Sequence, residues 1–548
     1  MATPSLRQLV LLACPWLWAT FAPPAAAQGG APNILLVHVD DVGWVDHSLA
    51  LDGAAPPEGR PFRTPHLERL AREGTLFTHA YASAPVCSPT RVSLMTGQHP
   101  ARHGVTYWTL HAGRDTSAPF PTLSPPRWRS DSLQPGDVTL PGVLRDAGYH
   151  TIHVGKAHFG ARGTPGEDPC ALGFDVNIGG HAAGGPGSFL ARDHFSASRR
   201  TRGGDTVWDV PGLAAYFDED MYLTDVLAAE AARALEAGLR ARRASGRPVF
   251  LQFAPYAVHA PITANERVAD RIPAALREGL DPRERAYATM VASVDDALGA
   301  LLAVLDREGA AEDTLVVYTS DNGGLSAHGR GGVAHTHNAP LASGKGSALE
   351  GGVRVPLVVR WPGHVRPGGV SAVTTLTHDL FPTLLGAAHA TAPAGHAVDG
   401  RSLWAALEHE AGASAPGTGG GAHVQATDER ILWWHMPHYW GVRGPGIEPY
   451  SALTRGDWKL IHYHSAAPLG AASTSVDPRA GRLALYDLGH DPGEADDLAA
   501  REPARVRELA ALLAERQRAA LVGMSRLKAT GEPVFDALQT YEALAAPR

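Results

Sequence analysis

Asn33-Ile34-Leu35-Leu36-Val37-His38-Val39-Asp40-Asp41 is the stretch on which the fold turns. Its apolar part is short, nearly unbroken and rich in aliphatic and β-branched residues, the pattern of a strand covered on both faces. It stops abruptly at two adjacent carboxylates, followed by Val42-Gly43-Trp44. Carboxylates at the C-terminal end of a buried strand are costly without a partner, and in open α/β sheets that end is where ligands bind. A solvated turn with an aspartate helix cap accounts for the same letters. The rest of the chain has to decide.

Working outward, the pattern recurs. Residues 314–320 form a second buried run, and it ends in Asp321-Asn322-Gly323-Gly324. Residues 149–154 lead directly into Gly155-Lys156-Ala157-His158, and residues 247–253 into a turn where Pro255 and Pro261 bracket His259. Residues 357–361 make one more strand. Helical patterns lie between these runs, at 64–74, 139–147, 222–240 and 285–305, and another starts at 378. Thr64 reads as an N-cap and Gly74 as a C-terminal cap, while Met290, Val294, Leu298, Leu301 and Leu305 share one side of a long helix. Strands alternating with helices predict an α/β fold, a large, mixed but mostly parallel sheet flanked by helices. Residues 105–134 and 160–212 read as long loops.

A linker of Gly, Ala, Ser, Thr and Pro at 412–421 separates this region, 28–411, from a C-terminal subdomain at 422–548. There, short strands near 431–434, 451–455, 458–463 and 483–486 precede an amphipathic helix at 503–520. This predicts a smaller antiparallel sheet backed by one helix.

The chain of 548 residues has 44% hydrophobic and 19% charged residues, a globular composition. A net charge of −8 and the lack of a dense Lys/Arg run argue against nucleic acid as a partner. Residues 1–27 read as a secretory signal: Arg7, an apolar run at 9–21, then Ala25-Ala26-Ala27 before Gln28. Export to the periplasm or beyond is expected, with no later membrane span. Cys14 leaves with the signal, so the mature chain keeps Cys87 and Cys170. They can form one disulfide, or Cys87 can be consumed by other chemistry. Sequence alone leaves both open.

Cys87 begins Cys87-Ser88-Pro89-Thr90-Arg91; past the proline, Thr90 to Met95 can begin a helix, which would put the thiol near its N-terminus, a setting suited to an anion. If the strands lie side by side, Asp40, Asp41, Asp321 and Asn322 converge. Crowded carboxylates call for a cation, and an all-oxygen ligand set favours Ca²⁺ or Mg²⁺. Arg91, Lys156, His158, His259 and Lys345 then suit a sulfate or phosphate ester.

Cys87-Ser88-Pro89-Thr90-Arg91 resembles the signature of the sulfatases, in which the cysteine is oxidised to formylglycine. Asp40-Asp41, Gly155-Lys156-x-His158, His259-x-Pro261, Asp321-Asn322-Gly323 and Lys345-Gly346 through Glu350-Gly351-Gly352-x-Arg354 follow in the family's order. Leu485-Tyr486-Asp487-Leu488 and Asp491-Pro492-Gly493-Glu494 resemble its C-terminal strand and turn. The resemblance implies an alkaline-phosphatase-like fold. It implies a metal, usually Ca²⁺, held by Asp40, Asp41, Asp321, Asn322 and modified residue 87. It also implies a hydrated aldehyde at 87 that attacks sulfur, with Arg91 holding the hydrate and His158 as base. Lys156, His259 and Lys345 would bind the sulfate, His259 or Lys345 protonating the departing oxygen. A formylglycine-generating or other maturing enzyme becomes a necessary partner, and no disulfide to Cys170 is expected. Ala157 and Phe159 stand where the family often has Trp and Leu.

The substrate expected is a sulfated carbohydrate or aryl sulfate. The same machinery on a phosphate or phosphonate ester is the alternative, and an unmodified glycan-binding protein a third reading. Trp433-Trp434-His435-Met436-Pro437-His438-Tyr439 suggests sugar contacts, with His435 and His438 as candidates; inter-domain packing is the competing account. His335 and His337 either line the pocket or sit in a solvated loop.

Overall fold

The computed structural model describes residues 30–50, 60–201, 203–412, 430–471 and 477–545. The signal at 1–27 and the linker at 412–421, apart from Gly412 itself, lie outside the described residues. Residues Ala31–Arg548 make one compact unit.

Eight strands form the main sheet: β1 (Asn33–Val39), β2 (Thr75–Phe77), β3 (His150–Gly155), β4 (Val176–Ile178), β5 (Val249–Ala254), β6 (Thr314–Ser320), β7 (Leu357–Arg360) and β8 (Gly369–Ser371). Their order is β8-β2-β7-β6-β1-β5-β3-β4, and only the two pairings of β7 are antiparallel. The opening stretch is therefore a central strand. Its side chains alternate between two cores: Leu35, Val37 and Val39 face one, Ile34 and Leu36 the other. The first core is roofed by α1 (Pro65–Glu73), α4 (Leu223–Ser245) and α5 (Pro282–Arg307), the second by α2 (Cys87–Thr96), α3 (Leu140–Asp146) and α6 (Leu380–Ala387). Helix α5 is long and apolar enough to cross a membrane, but most of it is buried against α4 and the sheet.

Register places the functional residues. Val39 pairs with Ser320, so Asp40 and Asp321 leave adjacent strands at the same level. Gly155 pairs with Ala254, which sends Lys156 and the turn to His259 off the same edge.

Several local expectations change. Thr64 precedes α1 but does not cap it; its hydroxyl pairs with Ser48 instead. Gly74 is extended, with φ −139°, so it needs no left-handed freedom. Residues 105–110 are largely buried rather than a surface loop, and the Tyr107 hydroxyl donates to the Tyr439 carbonyl at 2.9 Å.

The second sheet is antiparallel and four-stranded: β9 (Ile431–Met436), β10 (Tyr450–Arg455), β11 (Trp458–Tyr463) and β12 (Arg482–Asp487). One face packs on α7 (Pro503–Ala519), and the other carries Leu432, Trp434, Ala452 and Ile461 against Tyr81, Val86 and Val353. At that contact Lys459 is fully buried between Glu350, 3.0 Å away, and Glu494, 2.9 Å away. Two of the family-like motifs thus supply an ion pair that fastens the second sheet to the first.

Candidate active site at the carboxyl edge of the sheet

Helix α2 begins at Cys87, with Val86 extended before it and Gly97 closing it at φ 67°. The ten helix residues are all buried, so the helix is driven into the core end-on to the acidic strand tips. Cys87 Sγ and carboxylate oxygens of Asp40 and Asp41 lie within 4.8 Å of one another. Asp41 adopts φ 59°, a left-handed turn that lets consecutive carboxylates leave the strand on different headings.

Charges interleave around this point. Lys156 Nζ is 2.7 Å from Asp40 Oδ1 and 3.5 Å from Asp321 Oδ2. Arg91 Nε donates to Asp321 Oδ2 at 2.7 Å and its Nη1 to the Lys156 carbonyl at 2.9 Å. Lys345 Nζ is 2.7 Å from Asp41 Oδ1, which also accepts from Asn322 Nδ2 at 2.7 Å. Three carboxylates therefore meet three fixed cations, all buried.

Burial pushes Asp40 well above the usual carboxylate range, despite Lys156. Burial acts on Asp321 the same way, but Lys156 and Arg91 outweigh it and hold that carboxyl well below the range. Asp41 ends lower too, because Lys345 and His259 overcome its burial. Burial raises the Cys87 thiol, so as a cysteine it is no ready thiolate.

Each histidine is fixed in one tautomer. His158 Nε2 donates to the Thr109 carbonyl at 2.7 Å, and its Nδ1 has no hydrogen bond. His259 Nδ1 donates to the Ala260 carbonyl at 2.8 Å, and Nε2 lies 3.9 Å from Asp41 Oδ2. Burial lowers both pKa values, His259 to about 3 with help from Lys345. The His259 side chain is 22% exposed while Asp41 is closed off, so the cluster opens to solvent on the His259 side.

The glycine-rich loop at 179–187, which has no motif of its own, gains a reason here. A Cβ on Gly184 would run into the His158 ring, and one on Gly185 would lie 2.6 Å from His259 Nδ1. Only backbone fits against the two rings.

The donor set also suits a hard divalent cation. Asp40 Oδ2, Asp41 Oδ2 and Asn322 Oδ1 are buried without a hydrogen bond; the two aspartates lie beside Cys87, and the Asn322 amide is bonded to Asp41. Oxygen atoms dominate and no histidine is needed to complete the set. The ion expected from sequence fits the residues present.

Asp40, Asp41, Cys87, Arg91, Lys156, His158, His259, Asp321, Asn322 and Lys345 thus gather at one place. His435 and His438 do not join them, and the reading of these two as sugar contacts is corrected. His435 bonds Ser451 Oγ at 2.9 Å and the Val522 carbonyl at 3.0 Å. His438 bonds Thr106 Oγ1 and Ser117 Oγ, each at 2.8 Å, with its ring stacked on Tyr107. Both rings are buried with both nitrogens engaged: His438 packs between the two domains, and His435 packs within the C-terminal one. His335 bonds Ser326 Oγ at 2.9 Å, and His337 lies 3.7 Å from Glu284. Cys87 and Cys170 are both unbridged.

A residue beyond the expected stretch does reach the cluster. Trp440 lies under the Lys345 ammonium, 5.4 Å from Nζ to the ring centroid. No periodicity marks it, because the contact exists only once the second sheet has docked.

Comparison with known proteins identifies the family. The Sulfatase family model matches residues 32–390. Human N-acetylgalactosamine-6-sulfatase is 34% identical over 384 residues, 68% of this chain and 65% of its own length. Mouse steryl-sulfatase is 33% identical over 446 residues, 71% of this chain and 67% of its own. The chain thus spans about two thirds of the length of these relatives. The crystal structure of Ps i-CgsB in complex with k-i-k-neocarrahexaose shares the fold, with TM-score 0.68 and 23% identity across 94% of this chain and 98% of that one. Matched motifs, shared fold and relatives at this identity give one conclusion: the chain belongs to the sulfatase family.

Proposed function

We propose that this protein hydrolyses sulfate esters at the Cys87 cluster and that its substrates are sulfated carbohydrates. One observation carries the reading. Asp40 and Asp41 lie beside Cys87, with Asp321 and Asn322 bonded into the same cluster, interleaved with Arg91, Lys156 and Lys345, beside two histidines that each spend one ring nitrogen on a backbone carbonyl. With a divalent cation added, fixed positive charge exceeds negative, which suits an anionic ester at the transition state. The carbohydrate part is supported by the relative named for N-acetylgalactosamine and by the oligosaccharide bound to the structural neighbour.

Asp40, Asp41, Asp321 and Asn322 would hold the ion, Ca²⁺ or Mg²⁺, together with residue 87. The ion and a formylglycine made from Cys87 by a maturing enzyme would supply a nucleophile that sheds sulfate cleanly. Arg91, tied to Asp321 and the Lys156 carbonyl, fixes residue 87 from the helix side. Lys156 and Lys345 offer ammonium donors to the sulfonyl oxygens. His158 keeps its proton on Nε2, so Nδ1 is the acceptor for a proton leaving residue 87. His259 spends its ring N–H on Ala260, so Nε2 is an acceptor and Lys345 is the proton donor to the departing oxygen. Residues 1–27 we read as the export signal.

Turnover of 4-nitrophenyl sulfate against 4-nitrophenyl phosphate tests the reading. Sulfate release should dominate by at least ~10-fold, about 1.4 kcal/mol of discrimination; a dominant phosphatase rate overturns it. N-acetylgalactosamine 6-sulfate is the first sugar to try.

A further inference from the structure

We propose that Trp440 and His328 form the platform for the leaving-group ring, the first subsite beyond the sulfate. The inference rests on the sulfatase reading above and gives that site its specificity-determining residues.

Trp440 follows β9 and belongs to the C-terminal region, yet it sits beside the reacting centre. Lys345 Nζ lies 5.4 Å from its ring centroid, and the same ammonium is 2.7 Å from Asp41. The indole is held on several sides. Tyr107 meets it edge-on at 6.0 Å and His328 at 6.4 Å between ring centroids. Gly346 lies flat beneath it, where a Cβ would be 3.2 Å from Trp440 Cγ. Gly346 also has φ 86°, so a side chain there would be strained as well as tight against the ring. Trp440, though this well fixed, is only partly buried.

His328 adds a polar group beside the indole. Its Nδ1 is 3.2 Å from Ser326 Oγ, while Nε2 is buried without a hydrogen bond. Its ring meets the Trp440 indole edge-on, which places it beside the aromatic face that Lys345 also approaches. A rigid aromatic face with one unspent imidazole nitrogen matches the two surfaces of a pyranose: C–H groups for stacking, a hydroxyl for the hydrogen bond. Lys345, as donor to the departing oxygen, marks where that ring must begin.

The test uses the full matured protein with 4-nitrophenyl sulfate, N-acetylgalactosamine 6-sulfate and inorganic sulfate as inhibitor. Trp440→Ala should lower kcat/KM for both esters ~10- to 100-fold, mostly through KM, a loss of about 1.4–2.7 kcal/mol. The inhibition constant of inorganic sulfate, which lacks a leaving group, should stay within about twofold. Trp440→Phe should recover most of the loss, and His328→Ala should impair the sugar ester more than the aryl ester. Weakening of sulfate inhibition by the same factor would mean that Trp440 only positions Lys345, and would overturn the platform. Unchanged kcat/KM in Trp440→Ala would overturn it as well. Failure of the wild-type protein to hydrolyse either ester would instead remove the sulfatase reading on which the platform stands.

Discussion

His158 and Gly184 work as a pair. The Thr109 carbonyl fixes the ring from one side, and the bare Cα of Gly184 leaves it room on the other. His158→Ala should lower kcat ~10²- to 10⁴-fold, as expected for loss of a positioned base. Gly184→Ala keeps the imidazole but displaces it, so steady-state kinetics should show a smaller fall, ~10- to 100-fold, mainly in kcat. An unchanged kcat in Gly184→Ala would show that the loop gives way. Gly184 carries no sequence signal of this role, since glycine clusters read as loops. Asp40, Asp321 and Lys156 were legible because each directly follows a buried strand, where a charged side chain has few bland explanations. His435 and His438 misled for the opposite reason. Aromatic and histidine composition suggests sugar binding, but it does not say which face of β9 a ring takes or that Ser451, Thr106 and Ser117 await it.

Between elements, the buried triad of Lys459, Glu350 and Glu494 joins the two sheets, with the Tyr81 hydroxyl donating to Glu350 at 2.9 Å. Lys459→Met leaves two acids buried without their cation and should cost about 3–5 kcal/mol, read as a lower denaturation midpoint. Burial, helped by Glu350, pushes the Glu494 carboxyl up to about 7 despite Lys459. The folded state thus holds this proton more tightly than the unfolded state. Its contribution to stability is complete below the ordinary glutamate range and is lost as pH rises through about 7. Glu494→Gln should flatten the fall in Tm between pH 5 and pH 7.5; an identical slope in the variant would contradict this assignment. The strands and helices themselves were largely readable, because β1 and β6 are nearly unbroken apolar runs and α4 and α5 carry a helical pattern. Docking was not. That Lys459 faces Glu350 across more than 100 residues depends on side-chain direction in a sheet whose pairing no local pattern specifies.

For the molecule as a whole, the α/β sheet, its acidic edge and the smaller antiparallel sheet follow from the sequence and are present in the fold. A cation that binds only the folded chain should stabilise it. Saturation at ~100 times its Kd corresponds to about 2.7 kcal/mol. Chelation should therefore lower Tm and abolish sulfate release, Ca²⁺ or Mg²⁺ restoring both; a chelated protein with full activity would contradict the ligand set. Cys87 remains the centre of the account. Mass spectrometry of the tryptic peptide spanning residues 73–91 should show an aldehyde or its hydrate in place of the thiol. The most direct measurement is sulfate release from 4-nitrophenyl sulfate by protein produced with a formylglycine-generating enzyme, wild type against Cys87→Ala. Robust release by the wild type is expected, with a loss of at least ~10³-fold in the variant, about 4 kcal/mol of transition-state stabilisation. Equal rates from the two proteins would contradict it.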